Sequence, residues 1–434
     1  MPAAPLSWDI NSNIQETKVG GIIFNNVRIF DGAQLRPGTG AVRVEGNRIS
    51  EVADGGRGIE PQAGDRVIDG QGGTLMPGLV EAHAHLSWPS SVERFVPGMA
   101  LPPEDLVLTT ARNARILLDH GFTSAYSAGS LSKSVEVVLN TFITSGGMPG
   151  PRLVASSIER SPPTIDELDP GQVADHGKGP DSVRAFVKEC ASIGAKSVKF
   201  LLSGEDALMP GASQQLLYTQ EEASAAGEQA RESGVWLACH AQANEAVKMG
   251  LRAGFRVLYH CTYADSEALD LLEAKRDEIF IAPAVGIIQA TLDATPPPHF
   301  DMTHMKTSAA EVLALQKKLV PELKRRGLKV LPGGDYGFPF NPNGRNARDL
   351  ELFVEHFGYT PEEVLSAATL LGGELMGMGD ELGQVKPGFL ADLLLVDGDP
   401  VADVRVMQDR KRLRAIMKDG RFHKDPALAG LAGA

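Results

Sequence analysis

The run Leu79-Val80-Glu81-Ala82-His83-Ala84-His85-Leu86 sets two histidines one residue apart inside an apolar stretch. An extended strand alternates its side chains, so both imidazoles share one face. Two imidazoles on one wall suit a metal ion. The run starts straight after Pro77-Gly78, and that turn divides two textures of sequence.

Downstream of the turn, short apolar runs alternate with stretches of helical period. This alternation predicts a parallel sheet with crossover helices. The strands are expected over residues 79–86, 122–129, 152–159, 197–203, 236–241, 257–262, 279–285 and 329–335. Helices are expected over 104–119, 132–144, 181–193, 219–233, 265–276 and 308–326, followed by 346–357 and 361–371. Eight such units closing on themselves make an α/β fold, the (β/α)8 TIM-type barrel, whose active sites lie at the carboxyl ends of the strands.

Upstream of the turn the period is two. Ile22 to Phe30, Ala41 to Glu45 and Arg48 to Val52 are β-branched and aromatic, with Asp31-Gly32 and Gly46-Asn47 as turn signals between them. The same texture returns after Gly383, at Ala391 to Asp397 and Arg414 to Gly420. Neither piece has strands enough to bury a core alone. Residues 18–72 and 383–424 are therefore expected to form one small discontinuous β-sandwich domain beside a barrel at 73–382. Residues 1–17 and 425–434 read as tails.

The bulk numbers exclude several classes. Forty-two Lys and Arg against 55 Asp and Glu leave a net charge of −13, which disfavours a nucleic-acid partner. Three cysteines, Cys190, Cys239 and Cys261, lack the spacing of a disulfide framework and suit a reducing compartment. No signal peptide and no bilayer-length apolar run is visible, so a cytoplasmic protein without a membrane partner is expected.

Several of the expected strand ends carry polar residues that a barrel core would not hold. In Ser197-Val198-Lys199-Phe200-Leu201, alternation turns Lys199 away from Val198 and Phe200 and into the barrel. A buried ammonium is driven toward the neutral amine, which can take up carbon dioxide as a two-oxygen carbamate. The other reading is a structural lysine paired with a barrel carboxylate. His240 and His260 close the fifth and sixth strands, both expected to face inward, and Asp335 follows the glycine-opened end of the eighth, Pro332-Gly333-Gly334. Cys239 and Cys261 should face the helices as small hydrophobes. His120, His176, His299, His304, His356 and His423 stand alone in the sequence and read as structural. The converging set His83, His85, Lys199, His240, His260 and Asp335 suits zinc first, with cobalt, manganese, nickel or iron as alternatives.

This pattern resembles the amidohydrolase superfamily over nearly the whole chain. "LMPGLVEAHAHL" looks like that family's entry to the barrel, and "GQVKPGFLADLLLVDGDP" like its return to the small domain. The resemblance implies a binuclear centre. His83, His85 and Asp335 would hold one ion, His240 and His260 the other, and a CO2-derived carbamate on Lys199 would bridge them. Many relatives carry aspartate where this chain has Glu81, and glycine where Cys261 follows His260. "VEAHAHLSWP" and "YHCTYAD" look closer to the phenylurea and thiocarbamate hydrolase branch, with its single-metal members, than to the imidazolonepropionase-like or prolidase-like one.

The expected activity is hydrolysis of an amide, urea or carbamate-type carbon–nitrogen bond in a small, largely apolar or aromatic molecule. Metal-activated hydroxide would attack. Asp335 would take the water's proton and return it to the departing amine, with Lys199 and His260 as the other catalytic members. Trp88, Tyr126, Arg160, Gln242, Tyr263, Tyr336 and Phe338 are expected to shape the substrate site, Arg160 as receptor for any carboxylate. Residues 286–307, rich in proline, read as a lid. A Xaa-Pro-type dipeptidase or carboxypeptidase, a cyclic amide or lactone hydrolase, and a non-catalytic scaffold are the competing readings. A homo-oligomer is expected.

Overall fold

The computed structural model describes residues 20–91, 101–161, 177–206 and 210–428. The segment 1–17 and His176 lie outside them.

The period-two stretches build β1 (Ile22–Phe30), β2 (Leu35–Glu45), β3 (Arg48–Ala53), β4 (Arg66–Asp69) and β5 (Thr74–Pro77). β2 and β3 form a hairpin in which Glu45 faces Arg48. After Gly78 come β6 (Leu79–Ala84), α1 (Pro103–Asp119), β7 (Phe122–Ser127), α2 (Val135–Thr144), β8 (Arg152–Val154), α3 (Pro180–Ser192), β9 (Ser197–Leu201) and α4 (Gln220–Ser233). The series continues with β10 (Trp236–Ala241), α5 (Asn244–Ala253), β11 (Val257–His260), α6 (Ser266–Ala274), β12 (Phe280–Ala282), α7 (Val285–Asp293), α8 (Thr303–Arg325), α9 (Arg348–Phe357) and α10 (Pro361–Leu375). The chain ends in β13 (Leu393–Val396), β14 (Leu413–Lys418) and β15 (Arg421–Lys424).

Parallel pairing links β6, β7 and β8 in one arc and β9 to β12 in another. Single parallel bridges join the arcs: Ser156 to Ser197, Ile281 to Val330, and Ala84 to Tyr336. The succession of pairings returns to β6 and makes a barrel, with residues 330–336 as its eighth stave. A full strand was expected over 329–335. It pairs only at its two ends, because Pro332 has no N–H to give and Gly333-Gly334 present no side chains to pack.

Alternation sorts the barrel's apolar residues. Val198, Phe200, Leu237 and Cys239 pack outward with the helices. Ala82, Ala238, Val257 and Tyr259 pack inward. Two helices go beyond those the sequence periodicity predicts. α5 follows the fifth strand, and α7 begins where a strand to 285 and then a proline-rich lid were expected.

The small sheet unites both ends of the chain in the order β15, β14, β13, β5, β1, β2, β3, with β4 also on β1. Both wings contribute to one core, from Phe24 and Val42 to Leu395 and Met417. Past β15, Asp425 pairs with Arg66, so the expected tail starts with an anchored residue. No helix among the described residues is long and apolar enough to cross a membrane.

Candidate metal centre

Local departures from regular strand geometry bring the predicted residues to one rim. β6 pairs with β7 through a register shift between Glu81 and Ala84. A bulge of this kind inserts a residue and reverses the alternation. Val80 and Ala82 point inward before it, and His83 still reaches the interior after it, where its ring stacks on Tyr259 at 3.8 Å. His260 needs a different device. Leu258 faces the helices, so simple alternation would send His260 outward too; the inward parity expected from the sequence does not apply. His260 instead adopts φ +72° and Cys261 +53°, and the turned backbone swings the imidazole to 4.4 Å from His240 and 5.6 Å from His83. Asp335 also sits at φ +60°. Left-handed backbone at a non-glycine residue costs about 1–3 kcal/mol, and here it falls on two of the candidate ligands.

Two groups of ligand atoms result, each within 4.8 Å: His83, His85 and Asp335, and Glu205, His240 and His260. Asp335 Oδ1 stands 3.5 Å from His83 Nε2 and 3.0 Å from His85 Nε2. Even so, Asp335 Oδ1, His83 Nδ1 and His260 Nδ1 are buried without a hydrogen-bond partner. Buried donors and acceptors are nearly always satisfied, so Asp335 Oδ1, close to two imidazole nitrogens yet unbonded, fits a cation beside it. Burial, then the nearby Lys199 charge, holds His83 well below the usual imidazole range. Burial, then His240 and Lys199, does the same for His260. Burial and Lys199 bring His240 down to about 4. Neutral imidazole is the ligating form.

Lys199 points into the barrel as alternation requires and is 2% exposed. Its Nζ lies 3.0 Å from Glu159 Oε1, donates to the carbonyl of Ala128 at 3.0 Å, and sits over the Tyr259 ring. The amine is thus not isolated: the barrel carboxylate of the structural reading exists, and it is Glu159.

Strand parity also decides the expected substrate residues. Glu159 turns inward, so Arg160 turns out, its guanidinium among Phe186, Phe200 and Tyr218 and its Nη2 donating to Gly177 O and Ser182 Oγ. The structure does not bring it to the rim. Tyr126 is buried near the amino ends of β9 and β10, where its hydroxyl accepts from Ser197 Oγ and its ring stacks on Trp236. Tyr336 is buried and donates to Asp349 Oδ1, behind the ligand loop. Trp88 and Phe338 do flank the centre, with ring centroids 4.2 and 5.7 Å from His85. Tyr263 is half-buried, its N–H donating to the Gln242 carbonyl.

A cleft opens beside His260. Glu205 and Gln242 line one side, and Ile287, Met305 and Val312 the other. The side-chain oxygen of Gln242 is buried there without a partner. The 286–307 segment therefore contributes α7 and the start of α8 as a wall of the cleft.

Glu205 escaped the sequence reading. It follows β9 in Ser203-Gly204-Glu205-Asp206, and the signal for it was a carboxylate just past a strand end already known to carry Lys199. Of the solitary histidines, His304 Nε2 meets the Asp206 carbonyl near this cleft, while His356 bonds Gln289 Oε1 and His423 bonds Asp119 Oδ1.

The amidohydrolase family model matches residues 74–422. The chain is similar to ochratoxinase of Aspergillus niger, 25% identical over 381 residues that cover 82% of this chain and 76% of that protein. Among solved structures it is similar to a Xaa-Pro dipeptidase with bound methionine in the active site, at TM-score 0.81 and 25% identity over 93% of this chain and all (100%) of that one. Phenylurea hydrolase B shares the fold, at TM-score 0.74 and 20% identity over 95% and 99% of the two chains.

Proposed function

Because the chain belongs to the amidohydrolase family, hydrolases of carbon–nitrogen bonds that generally bind divalent metals, we propose that it hydrolyses an amide, urea or carbamate-type bond of a small, largely apolar molecule. The observation that carries this reading is the pair of unsatisfied ligand groups at one barrel rim. In it, His83, His85 and Asp335 would hold one ion and His240 and His260 a second, with Lys199, as its carbamate, a further ligand. Zinc suits these donors first.

Divalent ions held there would bring a water's pKa toward neutrality and polarise the scissile carbonyl. The remaining chemistry falls to the chain's own groups. Asp335 Oδ1 faces the centre and is the acceptor for the proton lost by the attacking water. The same carboxyl returns that proton to the departing nitrogen, since an amide anion leaves poorly. Gln242 offers an unsatisfied oxygen to a substrate N–H. Ile287, Met305 and Val312 exclude water and favour an apolar acyl or amine portion.

The dipeptidase reading draws on the likeness to the Xaa-Pro enzyme. The engagement of the Arg160 guanidinium by Gly177 and Ser182 weighs against a substrate held there by its free carboxylate.

The test is metal content per chain after expression with zinc, manganese or cobalt, then turnover of amide, urea and carbamate panels, with matched substrates bearing or lacking a free carboxylate. One or two equivalents and cleavage of carboxylate-free amides or ureas are expected. No bound metal under any condition would sink the proposal, and strict dependence on a free carboxylate would move it to the dipeptidase class.

A further inference from the structure

We propose that Glu205 is a direct ligand of the second ion, completing with His240 and His260 a set of two imidazoles and one carboxylate; this rests on the metal-dependent reading above. The set mirrors His83, His85 and Asp335 across the rim.

His240 shows which nitrogen is available. Its Nε2 lies 3.1 Å from the carbonyl of Gly204. A carbonyl can only accept, so the neutral ring carries its proton on Nε2 and leaves the lone pair on Nδ1. That atom faces Glu205 Oε1 at 4.0 Å. One residue, Gly204, thus fixes the tautomer, and the next supplies the carboxylate.

The loop that carries Glu205 is tied to the strand that carries His240. Leu202 N–H donates to the His240 carbonyl, Gln242 N–H to Ser203 Oγ, and Gly204 N–H to the Gln215 carbonyl. At Gly204 a Cβ would stand 2.6 Å from the Ala212 carbonyl oxygen, so the loop packs too closely there for a side chain. Glu205 is held in place by backbone. Among the described residues its carboxylate has no hydrogen bond and no ion pair closer than the His240 approach.

Charge gives the reason for a carboxylate here. Two neutral imidazoles bring a buried dication no compensating charge, and buried charge is tolerated when paired. On the first ion's side Asp335 supplies the anion. On the second ion's side Lys199 supplies one only after carbamylation, and its ammonium is engaged by Glu159 and Ala128. Glu205 needs no added group to supply one: burial pushes its carboxyl up to about 8, and a dication placed beside it would favour the ionised form; it also lines the substrate cleft.

The experiment loads the full chain with cobalt(II) or zinc(II), removes loose metal by dialysis, and counts equivalents while recording the cobalt visible spectrum. Wild type, Glu205→Gln, Glu205→Asp and His83→Asn are compared, each in buffer with and without bicarbonate. The expected result is that Glu205→Gln weakens one ion by at least the roughly 10- to 100-fold that losing even an outer partner costs, keeps the other with its spectrum intact, and is partly rescued by Glu205→Asp. His83→Asn should lose the complementary ion. If Glu205→Gln keeps wild-type stoichiometry and affinity, whether the wild type holds two ions or one, the inference is overturned. The same holds if the second ion depends on bicarbonate alone and not on Glu205. A wild type that takes up no metal fails at the earlier step and sinks the metal-dependent reading itself.

Discussion

His85 Nε2 and Asp335 Oδ1 stand 3.0 Å apart in the interior of the barrel without the geometry of a hydrogen bond. An imidazole and a carboxylate that close would ordinarily bond, so their arrangement serves a shared third party. Asp335→Asn keeps the shape and removes both the anion and the proton acceptor. Turnover should fall roughly 100- to 10,000-fold, the usual worth of a positioned acid–base group, and the first ion should bind more weakly. Wild-type kcat with full metal content would remove Asp335 from its assigned role.

Behind Asp335, Asp349 binds the ligand loop, accepting from Gly333 N–H and from the Tyr336 hydroxyl, both at 3.0 Å. A Cβ on Gly334 would stand 2.3 Å from Asp349 Oδ1 and 2.4 Å from the Tyr336 ring. Gly334→Ala should therefore destabilise the fold by about 1–3 kcal/mol and loosen metal binding as Asp335 shifts. Thermal melting and metal titration on the same sample check this; an unchanged melting temperature would show that the loop can yield.

Glu136 gives a pH prediction at a buried carboxyl that is not among the candidate ligands. It is fully buried, accepts from Ser156 N–H, and burial pushes its carboxyl up from 4.5 to about 8. Between those values the folded chain keeps a proton that the unfolded chain has released. Its contribution to stability is thus fully present below 4.5 and is lost as pH rises through about 8. Glu136→Gln cannot lose that proton, so relative to wild type it should gain stability with rising pH, by an amount on the order of a few kcal/mol across the window. Denaturant titrations at several pH values measure the difference. Parallel profiles would contradict it.

Cys239 and Cys261 sit beside the candidate ligands yet face the helices. Burial holds the Cys239 thiol well above its usual range and pushes Cys261 up to about 12, so neither offers the thiolate that binds metal. Cys239→Ala and Cys261→Ala should keep full metal content at a cost of about 1 kcal/mol in stability. Loss of an equivalent in either variant would make that sulfur a ligand.

How far the sequence can be read follows from these same residues. Lys199 and His240 obey simple alternation, and a period of two finds them. His83 and His260 reach the same rim by a bulge and by left-handed backbone, neither of which hydrophobic pattern encodes. Their histidine character drew attention where their parity would have misled. Arg160 and Glu159 show the reverse: the more conspicuous charge faces the helices, and its neighbour meets Lys199. Val285-Gly286-Ile287-Ile288 has the composition of a strand and becomes helix α7, because short apolar runs are ambiguous until tertiary packing decides. Glu205 was hidden for another reason. Its meaning lies in the distance to a histidine on the next strand, and one-dimensional spacing carries no such distance.

The position of β5 has a consequence for how the protein is made. β5 lies between β1 and β13, pairing Pro77 with Leu393, and its chain passes through Gly78 directly into the strand bearing His83. A ribosome releases every candidate ligand from His83 to Asp335 before it has synthesised β13. Until then one edge of β5 is bare, and a bare edge invites pairing with other chains. The finished sheet is a clasp fastened last, across the whole barrel sequence, and such long-range contacts slow folding. Nascent chains arrested before residue 393 should thus be the most aggregation-prone, with the whole ligand set already present but its leading strand unanchored.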